Sequence, residues 1–249
     1  METLPFWLPL LFFLIAAFYA TVGFGGGSSY LAVLALIGLP YTTIPQTALV
    51  CNLVVSGGGV WHFHRERHLE WRRVLPLVAL SVPMAYLGGR VPIGKQVFLL
   101  LLGVSLFIAG TRMFLPLGRG GLLSSISTRA MWLVGLPLGA TLGFLAGIVG
   151  IGGGIFLAPL LILTGWGDAR ATAAASSVFI LVNSTAGLAG QLAKGVYLDA
   201  MILPLVLAVF LGGQIGSRLG SYELSVVRVQ RLIGALILLV SVRVLLGAA

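Results

Sequence analysis

The chain has 249 residues, 59% of them hydrophobic and only 8% charged, with a net charge of +9. A soluble domain carries about 25% charged residues, so this composition excludes a water-coated globular fold and leaves a multi-pass membrane protein. The excess of Lys and Arg does not point to nucleic acid, because no basic stripe is interleaved with exposed aromatics. It falls mostly in short loops between apolar runs, as the positive-inside bias requires.

Taken in chain order, the first half holds apolar segments at about 5–22, 28–39, 43–62, 74–90 and 97–115. The first follows Glu2 rather than a basic leader and runs on without a clear cleavage site, so it reads as a retained helix rather than a secretory signal. It ends in Gly23-Phe24-Gly25-Gly26-Gly27. Glycine weakens a helix by about 1 kcal/mol per residue relative to alanine, so the helix breaks here. The following segment is too short to span, since a full crossing needs about 20 residues. The third segment ends in a basic, histidine-bearing loop, and the fourth ends at Gly88-Gly89-Arg90.

The second half repeats the pattern at about 130–149, 155–166, 172–192, 200–217 and 231–247. Gly150-Ile151-Gly152-Gly153-Gly154 again separates a long segment from a short one. Leu75-Pro76-Leu77 matches Leu203-Pro204-Leu205, and Gly88-Gly89-Arg90 matches Gly216-Ser217-Arg218, both at an offset of 128. The glycine elements match at 127. This is an internal duplication, giving one membrane domain over 1–249 with a first repeat at 1–118 and a second at 119–249. The expected fold is all-α and polytopic, with 8–10 transmembrane segments and a short or broken helix after each glycine motif.

Orientation follows from the basic residues. If every segment crosses, the halves are inverted repeats and eleven Lys and Arg residues fall on one side against four on the other. If the short segments do not cross, the halves are parallel and the split is nine to six. The inverted arrangement fits the positive-inside rule better. Gly135, Gly139, Gly143 and Gly147 recur every four residues, a small-residue stripe that lets a neighbouring backbone approach.

Two matching breaks in apolar helices are a pointer to a transporter's binding site. Gly25, Gly26, Gly27, Ser28 and Ser29 open one short helix, and Gly152, Gly153 and Gly154 open the other. The first amides of a helix have no intrahelical acceptor, and with the helix dipole they form an anion site. The alternative is that these glycines only permit close helix crossing. The third segments add Thr47, Asn52 and Ser56 in one half and Ser176, Ser177, Asn183, Ser184 and Thr185 in the other. Asn52, Ser176, Ser177 and Asn183 are the stronger substrate candidates, with interhelical hydrogen bonding as the competing role. Arg90 and Arg218 read either as interfacial anchors or as an anion vestibule.

His64 and His68 sit four apart, but the arginines beside them oppose a divalent cation, so no metal or other cofactor is expected. The six carboxylates all lie at segment ends or in loops, which leaves no buried proton relay. No nucleophile–base pairing or nucleotide loop supports an enzyme. The partners expected are a small anionic substrate and the lipid bilayer, with a homodimer left open.

The repeated Gly-x-Gly-Gly-Gly at Gly23–Gly27 and Gly150–Gly154, the small-polar third segments and the paired Gly-x-Arg positions together resemble the sulfite exporter TauE/SafE family of bacterial membrane transporters. The resemblance covers essentially the whole chain. It implies a protein of the bacterial inner membrane that moves a small anion, such as sulfite, sulfoacetate or a related sulfur oxyanion. Ile155-Phe156 in place of Ser28-Ser29 departs from full symmetry between the halves.

Overall fold

Proline and glycine, more than any loss of hydrophobicity, set the helix boundaries in the computed structural model, which describes residues 5–114, 128–195, 202–220 and 226–246. Arg119, Asp199, Glu2, Glu223 and the 118/119 repeat boundary lie outside these residues. The first half contains α1 (Leu8–Ala20), α2 (Gly27–Leu36), α3 (Ile44–Arg65), α4 (Trp71–Val78), α5 (Ser81–Arg90) and α6 (Lys95–Phe114). The second contains α7 (Thr128–Val149), α8 (Gly154–Leu163), α9 (Ala169–Leu192), α10 (Leu203–Gly220) and α11 (Val226–Leu246). No strand occurs among the described residues.

Pro9 and Pro45 sit in the first turns of α1 and α3, where a missing N–H costs nothing. The short helices after the glycine motifs are present, each of 10 residues. One expectation changes in detail. The fourth segment of the first half is two helices, α4 and α5, while its counterpart α10 is continuous. Pro83 supplies the reason, because it cannot donate to the carbonyl of Ala79 and the matching position in α10 is Leu211. Ser81 Oγ donates to the Val78 carbonyl at 3.1 Å across the break.

The halves pack by exchange. α1 runs parallel to α10, with Gly212 against the Phe13 carbonyl and Gly216 against that of Ala17. α7 runs parallel to α4 and α5 in the same manner: Gly139, Gly143 and Gly147 sit on the carbonyls of Leu77, Ser81 and Ala85. A β-carbon at any of these positions would strike backbone, which is why the stripe is glycine. α3 and α9 run antiparallel, pairing Gly59 with Ser177 and Leu49 with Gly187, and α6 runs antiparallel to α11, pairing Gly103 with Leu245 and Gly110 with Leu238. These two pairs of corresponding helices therefore point in opposite directions.

The polarity of this bundle is inside out. Asn52, Ser176, Asn183, Ser184 and Gln46 are buried, while Leu10, Leu14 and Phe18 on α1 and Leu207, Leu211 and Ile215 on α10 face outward. An apolar exterior of this kind suits lipid rather than water. α7 and α9 are long and apolar enough to cross a bilayer by themselves.

Candidate functional site

The glycine breaks come together near the middle of α3 and α9. Gly26 adopts a left-handed conformation (φ 85°) and is the N-cap of α2. Gly152 and Gly153 do the same ahead of α8 (φ 77° and 80°), a conformation open to glycine without penalty. These turns bring the two breaks together, and a β-carbon on Gly27 would lie 2.8 Å from the Ile151 carbonyl oxygen.

Asn52 occupies the space between them. Its Nδ2 donates to the carbonyl of Ile151 at 3.2 Å. A β-carbon on Gly25 would lie 2.5 Å from Asn52 Oδ1, and one on Gly27 would strike Asn52 Nδ2. On the opposite side, a β-carbon on Gly152 would lie 2.8 Å from the same Nδ2 and 3.0 Å from Ser184 Oγ. One carboxamide thus touches both breaks and can do so only because each presents glycine.

The breaks concentrate main-chain hydrogen-bond donors that have no acceptor. Among the described residues, the N–H groups of Gly25, Gly26, Gly27 and Ser28, and those of Ile151, Gly152, Gly153, Gly154 and Ile155, donate to no carbonyl or side chain. All nine residues are buried. Buried N–H groups are almost always paired, so this concentration is exceptional. Consecutive free amides form concavities that bind anions, and both helix dipoles add positive potential here. Asn52 Oδ1, Ser176 Oγ, Asn183 Oδ1 and Ser184 Oγ are also buried and without a partner. Ser176, Ile180, Asn183, Ser184 and Gly187 share one face of α9 by helical spacing.

Other candidates lie elsewhere. Ser28 and Ser29 point away from Asn52, to the Tyr19 hydroxyl at 3.2 and 2.8 Å, and so fasten α2 to α1. Ser177 Oγ lies 3.1 Å from the carbonyl of Gly23 and 3.0 Å from that of Ala173, so its one proton is shared between them and holds the head of the first break on α9. Gly153 packs on Phe179 and Gly154 on Ile180. Arg90 is exposed over the Tyr86 ring, 5.7 Å from its centroid. Arg218 is exposed at the end of α10. α5 runs with α9 and α10 with α3, so the two arginines stand at opposite ends of the bundle and do not share one mouth. His64 meets the edge of Trp71, and no cluster of metal-ligating side chains occurs among the described residues.

Ser184, a weaker substrate candidate from the sequence, lies at the second break with its hydroxyl unpartnered. Its signal was the match to Ser56 across the repeat, but Ser56 Oγ donates to the Asn52 carbonyl at 2.5 Å, whereas Ser184 keeps its hydroxyl free at the break.

Residues 8–244 match the family model described as sulfite exporter TauE/SafE. The chain belongs to this family. It is 38% identical over 226 residues to the "Probable membrane transporter protein y4hK" of Sinorhizobium fredii, an alignment covering 90% of this chain and 92% of the relative. It is 29% identical over 231 residues to the "Probable membrane transporter protein ORF9" of a Sinorhizobium species, covering 88% of this chain and 85% of that protein. No solved structure matches the chain. TauE/SafE membership and the two relatives support a membrane transporter rather than an enzyme.

Proposed function

We propose that this TauE/SafE protein exports a small sulfur-containing oxyanion, sulfite or an organosulfonate such as sulfoacetate, across the bacterial cytoplasmic membrane. The observation that carries the reading is the meeting of two broken helices at Asn52, with nine unpaired amides and, among the described residues, no carboxylate beside them. The substrate's oxygens would take the Gly25–Ser28 and Ile151–Ile155 amides, with the Ser176 and Ser184 hydroxyls and the second Nδ2 protons of Asn52 and Asn183 completing the shell. Gly26 and Gly153 hold the turns, and Ser177 fixes the first break in place.

The two halves read as inverted repeats, 1–118 and 119–249, within one membrane domain. The opposed directions of α3 and α9, and of α6 and α11, support this. Such repeats rock about a fixed central site in secondary transporters. Moving one charge through 100 mV is worth about 2.3 kcal/mol, so with the cytoplasm negative an anion leaves downhill without a coupling ion. The described carboxylates Glu66, Glu70 and Asp168 lie in loops or at a helix cap, a placement that supports uncoupled export over proton-driven import.

The test is flux of labelled sulfite, sulfoacetate and sulfate in proteoliposomes under an imposed potential. Flux of one sulfur oxyanion that grows with potential and survives collapse of the pH gradient is the expected result. Loss of flux with the pH gradient overturns the uncoupled mechanism. Absence of flux for every anion overturns the anion reading in favour of another solute or a membrane assembly role.

A further inference from the structure

At one end of the bundle, the residues leading into α3, the turn between α5 and α6 and the end of α9 line a half-open cavity of about 170 Å³. Its lining combines the polar groups of Lys194, Tyr41 and Thr42 with the apolar Phe98 and Ile148, and the Tyr41 ring lies 6.4 Å from that of Phe98. Its size is well beyond one water, whose share of the liquid is about 30 Å³. Gln191, buried in the wall, donates to the Gly147 carbonyl at 3.1 Å and ties α9 to α7 there. Tyr41 also borders a neighbouring cavity of about 310 Å³ that holds Lys95 and Arg243.

Among the described residues, the charge at this end is unbalanced. Glu66 and Glu70 follow the far end of α3, and Asp168 caps the far end of α9, where it accepts from the Ala171 amide at 2.7 Å. Among the described residues, Lys194, Lys95 and Arg243 therefore share this end with no carboxylate. Partial desolvation also lowers the Lys194 pKa, so its ammonium gains from an anion beside it. One wall residue connects the cavity to the second break: Pro45 packs where a β-carbon on Gly150 would lie, at 2.6 Å.

We propose that this cavity is a second anion site, in series with the glycine breaks, that takes an oxyanion bearing a short alkyl group. The Lys194 ammonium and the Tyr41 and Thr42 hydroxyls meet the sulfonate oxygens, and Phe98 and Ile148 cover the alkyl chain. Bare sulfite has nothing to place against these two side chains. The site's role in transport rests on the export reading above, but its occupancy does not.

The test is binding of 1-propanesulfonate and of sulfite to the purified full chain, measured by titration calorimetry, in wild type, Lys194→Gln, Lys194→Arg and Asn52→Leu. Propanesulfonate should bind more tightly than sulfite, by up to about fourfold per buried methylene, and should still bind Asn52→Leu. Lys194→Gln should weaken it about tenfold or more, the size of one charge-assisted contact, and Lys194→Arg should retain most of the affinity. Propanesulfonate binding that is abolished by Asn52→Leu and untouched by Lys194→Gln overturns the second site and leaves the export reading standing. Equal weakening of both anions by Lys194→Gln overturns the alkyl preference. Binding that follows Lys194 in a protein that transports no anion overturns the export reading and leaves the second site in place.

Discussion

Asn52, a first-half residue, donates its side-chain N–H to the main-chain carbonyl of Ile151, a second-half residue, at 3.2 Å. The bond crosses the interface between the repeats at the point where both are broken. Its position in the second half is taken by Ile180, which lies against Gly25 and Gly152. Two similar halves have thus built one polar group and one apolar group at the same centre, and the site is handed.

Asn52→Leu should cut anion flux about tenfold or more, since loss of one interaction of about 1.4 kcal/mol is a factor of ten, while membrane insertion persists. It also leaves the Ile151 carbonyl without a donor, at about 1–3 kcal/mol. Asn52→Asp preserves the shape and places negative charge among the amides, so it should reduce flux further still. Flux in proteoliposomes and thermal unfolding in detergent read the two effects separately; Asn52→Asp as active as wild type would be incompatible with an anion at this point.

Gly26→Leu and Gly153→Leu should abolish transport with insertion intact. Each puts a branched side chain at a left-handed φ, beside Tyr30 and Phe179 respectively. Gly143→Ala should act differently, by prising α7 from the Ser81 carbonyl, with a loss typical of overpacking at about 1–3 kcal/mol. Gly94→Ala is the control, because nothing lies within 4 Å of its β-carbon position. Thermal melts of the four variants should rank Gly143→Ala below Gly94→Ala.

Arg73→Ala should loosen the loop between α8 and α9. The guanidinium lies 4.6 Å from the centroid of the Trp166 ring and donates to the Trp166 carbonyl. Stacking of this kind contributes about 0.5–2 kcal/mol. Arg73→Lys keeps the charge but loses the planar fork, so it should recover little of the melting temperature, and full recovery would show that charge alone matters.

Glu66→Cys and Lys194→Cys test the inverted arrangement. Both positions are exposed and follow the ends of the corresponding helices α3 and α9, and the native Cys51 is fully buried. A membrane-impermeant thiol reagent applied to intact cells and to inverted vesicles should label the two cysteines from opposite sides. Labelling of both from the same side would require parallel repeats.

Much of this was legible in the sequence because membrane proteins write their constraints in few letters. Apolar run length located α1, α3, α6, α7, α9 and α11 to within a few residues, and the glycine strings located both breaks. The every-fourth glycines of α7 announced a close backbone contact. What the sequence could not reveal was the partner, since Leu77, Ser81 and Ala85 contribute main-chain carbonyls that any residue would carry. Side-chain direction was equally hidden. Ser28 and Ser29 stand at a break yet bond to Tyr19, whereas Ser184, eight positions beyond Ser176 on the same face, reaches the break. The split of α4 from α5 was missed because Pro83 lies inside an otherwise continuous apolar run.

The exchange of first helices has a consequence for how the chain is made. While only residues up to α6 have been synthesised, the carbonyl groove of α4 and α5 has no α7 to fill it, and α1 has no α10. The nascent first half must wait in the bilayer with its most intimate contact surfaces facing lipid or a chaperone. Truncation after the first half should therefore yield a substrate for membrane proteases rather than a stable small protein, and two separately expressed halves should survive only when made in the same cell.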